Sequence, residues 1–111
     1  MQIDKQMIGD VLVVTLAGEL DSRTAVQTQH ELTELVPQAE KIVLNLAQTS
    51  YMSSAGLRVM LLVYRQARAA GIRLVLVGMP VEVHEVMSAT GFLDFFTVSD
   101  TVPAGVEVLT R

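Results

Sequence analysis

The run Lys41-Ile42-Val43-Leu44-Asn45-Leu46 is apolar at four of its six positions, and a segment with helical periodicity begins a few residues after it. Apolar runs of this kind form strands that are buried on both faces, as at the centre of a parallel sheet. The loop 47–52 separates the run from a helix that is predicted to start at Ser53 or Ser54, to reach Ala70 and to stop at Gly71. A strand that leads into a helix in this way predicts an α/β protein.

The segments on both sides continue the alternation. The other elements are predicted as strands over 3–7 and 11–16, a helix over 24–36, a strand over 72–78, a helix over 80–91, a strand over 95–98 and, from residue 100, a short helix or irregular cap. Gly9-Asp10 supplies a hairpin turn, and Gly18 is expected to end the second strand. Thr24 and Gln27 match a capping box at the start of the first helix.

The length of 111 residues fits one domain, which we expect to span residues 1–111. Strands joined through helices imply right-handed crossovers between parallel neighbours. The predicted architecture is therefore a single α/β domain with a mixed, mostly parallel sheet of about four to five strands and with helices mainly on one face.

Composition excludes several classes of protein. The absence of cysteine excludes disulfide scaffolds, zinc-thiolate sites and thiol nucleophiles. A net charge of −4 argues against nucleic-acid binding, which needs a basic patch. No apolar run reaches the roughly 20 residues of a membrane span, and the first ten residues do not resemble a signal peptide. We therefore expect a cytoplasmic protein with no nucleic-acid or membrane partner.

Few residues suggest catalysis. His30 and His84 both fall in predicted helices without a second histidine at metal-ligand spacing. Glu82 and Glu85 share a helix face, but a solvated face explains them better than an acid–base pair. The chain has no glycine-rich phosphate loop, so we expect no enzyme activity, no metal and no cofactor.

The segment Thr49–Arg58 is unusual because four small residues, Ser53 to Gly56, stand at a helix start. Capping explains one serine, but not Gly56, which costs up to about 1 kcal/mol in a helix relative to alanine. Arg58 is also poorly placed, since a helix N-terminus prefers anions. Three interpretations stay open: an anion-binding helix end, a serine that becomes phosphorylated, and a flat surface for partner docking.

Three features of the sequence resemble the STAS domain and, closely, the bacterial anti-sigma factor antagonists: Gly18-Glu19-Leu20-Asp21, the strand 42–46, and Tyr51 to Arg58. The resemblance covers nearly the whole chain. It implies a protein that binds an anti-sigma factor with serine kinase activity and so frees a sigma factor. Phosphorylation of a loop serine would break the complex, and a PP2C-type phosphatase would restore it.

The resemblance also implies roles for particular residues. The family loop usually has Asp where this chain has Ser53, and Ala55 cannot accept a phosphate, so Ser54 is the implied phosphoacceptor and Ser53 the second candidate. The residues implied to contact the partner are Asp21, Ser53, Ser54, Ala55, Gly56, Leu57 and Arg58.

Two other functions remain as alternatives. The missing Asp would suit a STAS scaffold or sensor that binds partners but is never phosphorylated. A nucleotide or another small molecule could also bind at the same helix end.

Overall fold

The computed structural model describes residues 1–111. The strands are β1 (Gln2–Ile8), β2 (Val11–Leu20), β3 (Lys41–Asn45), β4 (Thr49–Met52), β5 (Arg73–Val77) and β6 (Thr97–Ser99). The helices are α1 (Ala25–Leu35), α2 (Ser54–Ala69), α3 (Val81–Ala89) and α4 (Val102–Thr110). Short 3-10 turns follow α1 and α3, at Val36–Gln38 and Phe92–Phe95.

The sheet runs in the order β1-β2-β3-β5-β6, and β4 pairs with the end of β2. Only β1 is antiparallel to its neighbour, since the β2–β3, β2–β4, β3–β5 and β5–β6 pairs are all parallel. The predicted α/β class and the mixed, mostly parallel sheet are confirmed. The short strand β4 is additional, because the sequence analysis assigned its residues to a loop.

Alternate residues of the central strands point to opposite faces of the sheet. Leu12, Val14 and Leu44 pack in the larger core with α1, α2 and α3, whereas Val13 and Val43 pack in a smaller core with α4. Complete burial of one such side chain is worth roughly 1.5–3 kcal/mol. The helices therefore cover mainly one face, as predicted.

Two local predictions about the segment before α1 are wrong. Gly18 does not end β2; the strand continues to Leu20 because Gly18 adopts a φ of 119° that other residues rarely tolerate, and the pairing with β4 shifts register there. Thr24 does stand at the N-cap of α1, but its side chain makes no capping hydrogen bond. Its hydroxyl instead donates to the Glu19 carbonyl at 2.8 Å and accepts from the Asp21 N–H at 3.1 Å.

The end of α2 and the C-terminal segment follow the prediction. Gly71 adopts a φ of 71° directly after Ala70, the C-cap of α2, and the Ile72 N–H closes the helix on the Ala67 carbonyl at 2.8 Å. The segment after residue 100 forms α4. β6 begins two residues later than predicted, because Phe92–Phe95 forms a 3-10 turn.

Candidate functional site

The start of α2 lies against the end of β2. The Ser53 N–H donates to the Leu20 carbonyl at 2.9 Å, and β4 pairs with β2 up to Met52, directly before the helix. Thr49 holds the start of β4 against β2, because its buried hydroxyl donates to the Leu16 carbonyl at 2.9 Å. Asp21 directly follows Leu20, the residue whose carbonyl accepts from the Ser53 N–H.

Ser53 and Gly56 have structural roles at this helix start. The Ser53 side chain caps α2 by accepting from the Gly56 N–H at 3.4 Å. A Cβ on Gly56 would lie 2.6 Å from the Leu20 carbonyl oxygen, too close for any side chain. Close packing therefore explains this glycine, so Gly56 by itself gives no support to a bound anion.

The remaining residues of the segment divide by burial. Ser54 and Arg58 are exposed and Ala55 is half-buried, whereas Gly56 and Leu57 are buried. Because Ser54 is the first residue of α2, its side chain stands at the positive end of the helix dipole. The exposed and half-buried residues are open to solvent, whereas Gly56 and Leu57 pack inside the protein.

Asp21 forms an ion pair in the turn before α1. Its carboxylate accepts from the Arg23 guanidinium at 2.8 Å and from the Arg23 backbone N–H at 2.9 Å, and Glu19 accepts from the same guanidinium at 2.9 Å. The hydrogen bond from the Arg23 side chain holds the pKa of Asp21 below its usual value, and the same contact raises the pKa of Arg23. Asp21 is therefore a fixed anion in the turn between β2 and α1.

An open groove of about 580 Å³ lies on the surface between α1 and α2. We call it the α1–α2 groove, and its lining residues are Ser22, Ala25, Val26, Gln29, Ser54, Ala55, Arg58, Val59 and Leu62. Three of these residues, Ser54, Ala55 and Arg58, are among the predicted site residues, whereas those of the α1 side are not. The sequence signal that could have revealed the α1 side was Val26, an apolar residue outside the buried stripe of α1. In the structure Val26 is 80% exposed.

The titratable residues considered for catalysis do not assemble into a site. His30 is exposed and lies 3.3 Å from Glu34 on the same helix. Glu82 and Glu85 are exposed on α3. No three histidine, aspartate or glutamate side chains come close enough together to hold a metal ion. No helix in the structure combines the length and the apolar character needed to cross a bilayer.

Comparison with known proteins assigns the fold. A family model described as STAS domain matches residues 2–105. The chain belongs to the STAS domain family. A Bordetella bronchiseptica protein named "Putative anti-sigma factor antagonist BtrV" is 38% identical over 102 residues, which cover 91% of this chain and 88% of that protein.

Two solved structures share the STAS fold at low sequence identity. One, from Thermotoga maritima, is described as a "putative anti-sigma factor antagonist"; it has a TM-score of 0.91 and 21% identity, with coverage of 98% of this chain and 95% of that one. The other is the Bacillus cell fate determinant SpoIIAA in its phosphorylated form, with a TM-score of 0.73, 21% identity, and coverage of 97% and 99%. At these identities the likeness concerns the fold alone.

Proposed function

We propose that this STAS protein is an anti-sigma factor antagonist, a regulatory binding protein and not an enzyme. The start of α2 docks on an anti-sigma factor with serine kinase activity, in the cytoplasm, and the sigma factor is released. The observation that carries the proposal is the difference between two adjacent serines, Ser53 and Ser54. The Ser53 hydroxyl caps α2 inside the fold, and Ser54 is exposed to solvent.

Ser54 is the phosphoacceptor in this proposal. The Ser53 hydroxyl is committed to the Gly56 N–H, and Ser53 is only partly exposed, whereas Ser54 is exposed and makes no side-chain hydrogen bond. Aspartate and serine are similarly good N-caps, so Ser53 can replace the capping function of the Asp that usually stands in the family loop. The replacement of this Asp by Ser53 therefore leaves Ser54 in the same place at the helix start.

The modification transfers the γ-phosphoryl group of ATP. The Ser54 oxygen forms a bond to the γ-phosphorus, the bond between that phosphorus and the β–γ bridging oxygen breaks, and ADP leaves. The serine proton passes to a base of the kinase. Removal by a PP2C-type phosphatase is hydrolysis of the new phosphoester, which returns the serine hydroxyl and inorganic phosphate.

Phosphorylation acts on the interface and not on the fold. A phosphate adds about −1.5 to −2 charge at pH 7. At the first residue of α2 that charge is locally favourable, because it meets the positive end of the helix dipole. Inside a close interface it must lose its hydration, so a loss of about 3–4 kcal/mol in binding lowers affinity by two to three decades.

Binding to recombinant anti-sigma factors of the serine kinase class from the same organism, measured by calorimetry, tests the proposal. Ser54→Ala is expected to bind like the unmodified protein, while Ser54→Asp loses roughly 100- to 1,000-fold in affinity. Ser53→Asp is the matched control: it adds the same charge one residue earlier, at the N-cap, and should retain most of the binding.

Two results would contradict the proposal. If the unmodified protein binds none of these anti-sigma factors, the antagonist function is wrong. If Ser54→Asp binds as tightly as Ser54→Ala, the protein is an unmodified STAS scaffold or sensor, and its serine segment is only a docking surface.

A further inference from the structure

The α1–α2 groove continues from Ser54 along the two helices. Five of its nine lining residues are apolar, and Arg58 is the only charged one. The whole chain, in contrast, has 12 acidic and 8 basic residues. The groove is therefore a locally cationic and apolar surface on an acidic protein.

Arg58 has no counter-charge within the chain. It takes part in none of the ion pairs of the structure, and its guanidinium makes no side-chain hydrogen bond. It also lies near the N-terminus of α2, where a cation meets the positive end of the helix dipole. An external anion in the groove would offset both the missing partner and the unfavourable dipole.

Val26 supplies the second feature of the groove. Its side chain is 80% exposed although valine is strongly apolar, and it lines the groove across from α2. Leu62 lines the same groove from α2 and is half-buried. An apolar side chain from a partner that covered these residues would remove apolar surface from water and gain affinity.

We propose that the α1–α2 groove receives a segment of the anti-sigma factor in which a carboxylate side chain stands beside an apolar one. Arg58 binds the carboxylate through its two-pronged guanidinium, and Val26 with Leu62 packs on the apolar side chain. The inference rests on the proposed function, because it specifies the chemistry of the same partner. The choice of occupant rests on charge complementarity and on continuity with the Ser54 surface.

The groove also gives phosphorylation a second effect. Ser54 and Arg58 are four residues apart on one helix, so their side chains are neighbours on its surface. A phosphate on Ser54 can pair with Arg58 and so compete with the carboxylate of the partner. Modification then removes an attraction in the groove as well as adding a charge to the interface.

The test uses Arg58→Gln and Val26→Ser in calorimetric binding to an anti-sigma factor that binds the unmodified protein. Because both residues are exposed, neither change should alter the melting temperature. Each is expected to weaken binding by roughly 10-fold. Arg65→Gln is the matched control, since Arg65 is an exposed arginine of α2 outside the groove, and it should change affinity less than about 2-fold.

Raising the salt concentration should weaken binding of the unmodified protein to the anti-sigma factor more than it weakens binding of Arg58→Gln. The inference is overturned, with the antagonist function intact, if Ser54→Asp abolishes binding while Arg58→Gln and Val26→Ser bind as the unmodified protein does. It is also overturned if Arg58→Gln matters only when the anti-sigma factor holds ATP or ADP, because the anion is then a nucleotide phosphate. Equal losses from Arg58→Gln and Arg65→Gln would indicate general charge attraction and overturn it as well.

Discussion

α2 and α4 begin in the same way but on opposite faces of the sheet. A hydroxyl caps each helix: Ser53 accepts from Gly56 N–H at 3.4 Å, and Thr101 accepts from Ala104 N–H at 3.2 Å. Each also has a glycine near its start that lies against the sheet. A Cβ would lie 2.6 Å from the Leu20 carbonyl oxygen at Gly56, and 2.7 Å from a Val77 methyl group at Gly105.

The two helix starts differ in what they leave exposed. At α4 the residues after the cap are Val102 and Pro103, which provide neither a phosphorylatable hydroxyl nor a charge. At α2 the capping serine is followed by an exposed Ser54 and, one turn later, by an unpaired Arg58 beside the groove. Capping and close helix packing are therefore structural devices that both helices share. Only at α2 do the surrounding residues include an exposed serine and an unpaired arginine beside a groove.

The largest effect on stability is expected from replacing the two glycines. Gly56→Ala and Gly105→Ala should each destabilise the protein by about 1–3 kcal/mol, because the added methyl group overpacks the contact with the sheet. Gly56→Ala should cost more, since a backbone carbonyl blocks it, whereas a valine side chain blocks Gly105. Urea unfolding gives both values.

The two glycine variants also distinguish an effect on packing from an effect on partner binding. Gly56→Ala should also weaken binding to the anti-sigma factor, because α2 must shift, while Gly105→Ala should leave binding intact under conditions where both variants are folded. A Gly56→Ala protein as stable as the unmodified one would contradict the packing explanation of this glycine. The bound-anion interpretation would then have to be reconsidered.

A smaller effect is expected from pH, through the Asp21–Arg23 pair in the turn before α1. The pKa of Asp21 is lower in the folded protein than its ordinary value, because Arg23 donates hydrogen bonds to the carboxylate. Its contribution to stability is therefore complete above the unfolded pKa of about 3.9 and is lost as the pH falls towards the folded pKa. Asp21→Asn should lose less stability than the unmodified protein between pH 7 and pH 3.

Urea midpoints at the two pH values measure this difference. Arg23→Gln is the control, since it removes the cause of the shift and should reduce the acid loss in the same direction. Equal acid losses in the unmodified protein and in Asp21→Asn would show that this pair does not contribute. The effect should be small, because the Arg23 side chain is 75% exposed and its ion pair is screened by water.

Most of the fold could be predicted from apolar patterns that extend over many residues. The segment 41–46 and the helix that follows it lie where the sequence indicates, because their burial is set by patterns that extend over many residues. β4 was missed because it has only four residues and is stabilised by pairing with β2, which is distant in sequence. The prediction of a capping box at Thr24 was wrong for a related reason, since the Thr24 hydroxyl donates to the carbonyl of Glu19, five residues earlier.

The candidate site was only half visible in the sequence. The helix start Ser53–Arg58 is a local motif and could be found from its small residues. The α1 side of the groove arises from the packing of α1 against α2, so no local pattern places Val26 opposite Arg58. The reason for Gly56 likewise became clear only when Leu20 was found against it.

The phosphorylation state of the protein in its own cells tests the central claim most directly. Peptide mapping by mass spectrometry, before and after treatment with a PP2C-type phosphatase, locates any phosphate on the segment that contains both serines. The account predicts phosphate on Ser54 that the phosphatase removes, with Ser53 unmodified. Phosphate on Ser53, or an unmodified segment under all growth and stress conditions, would contradict it.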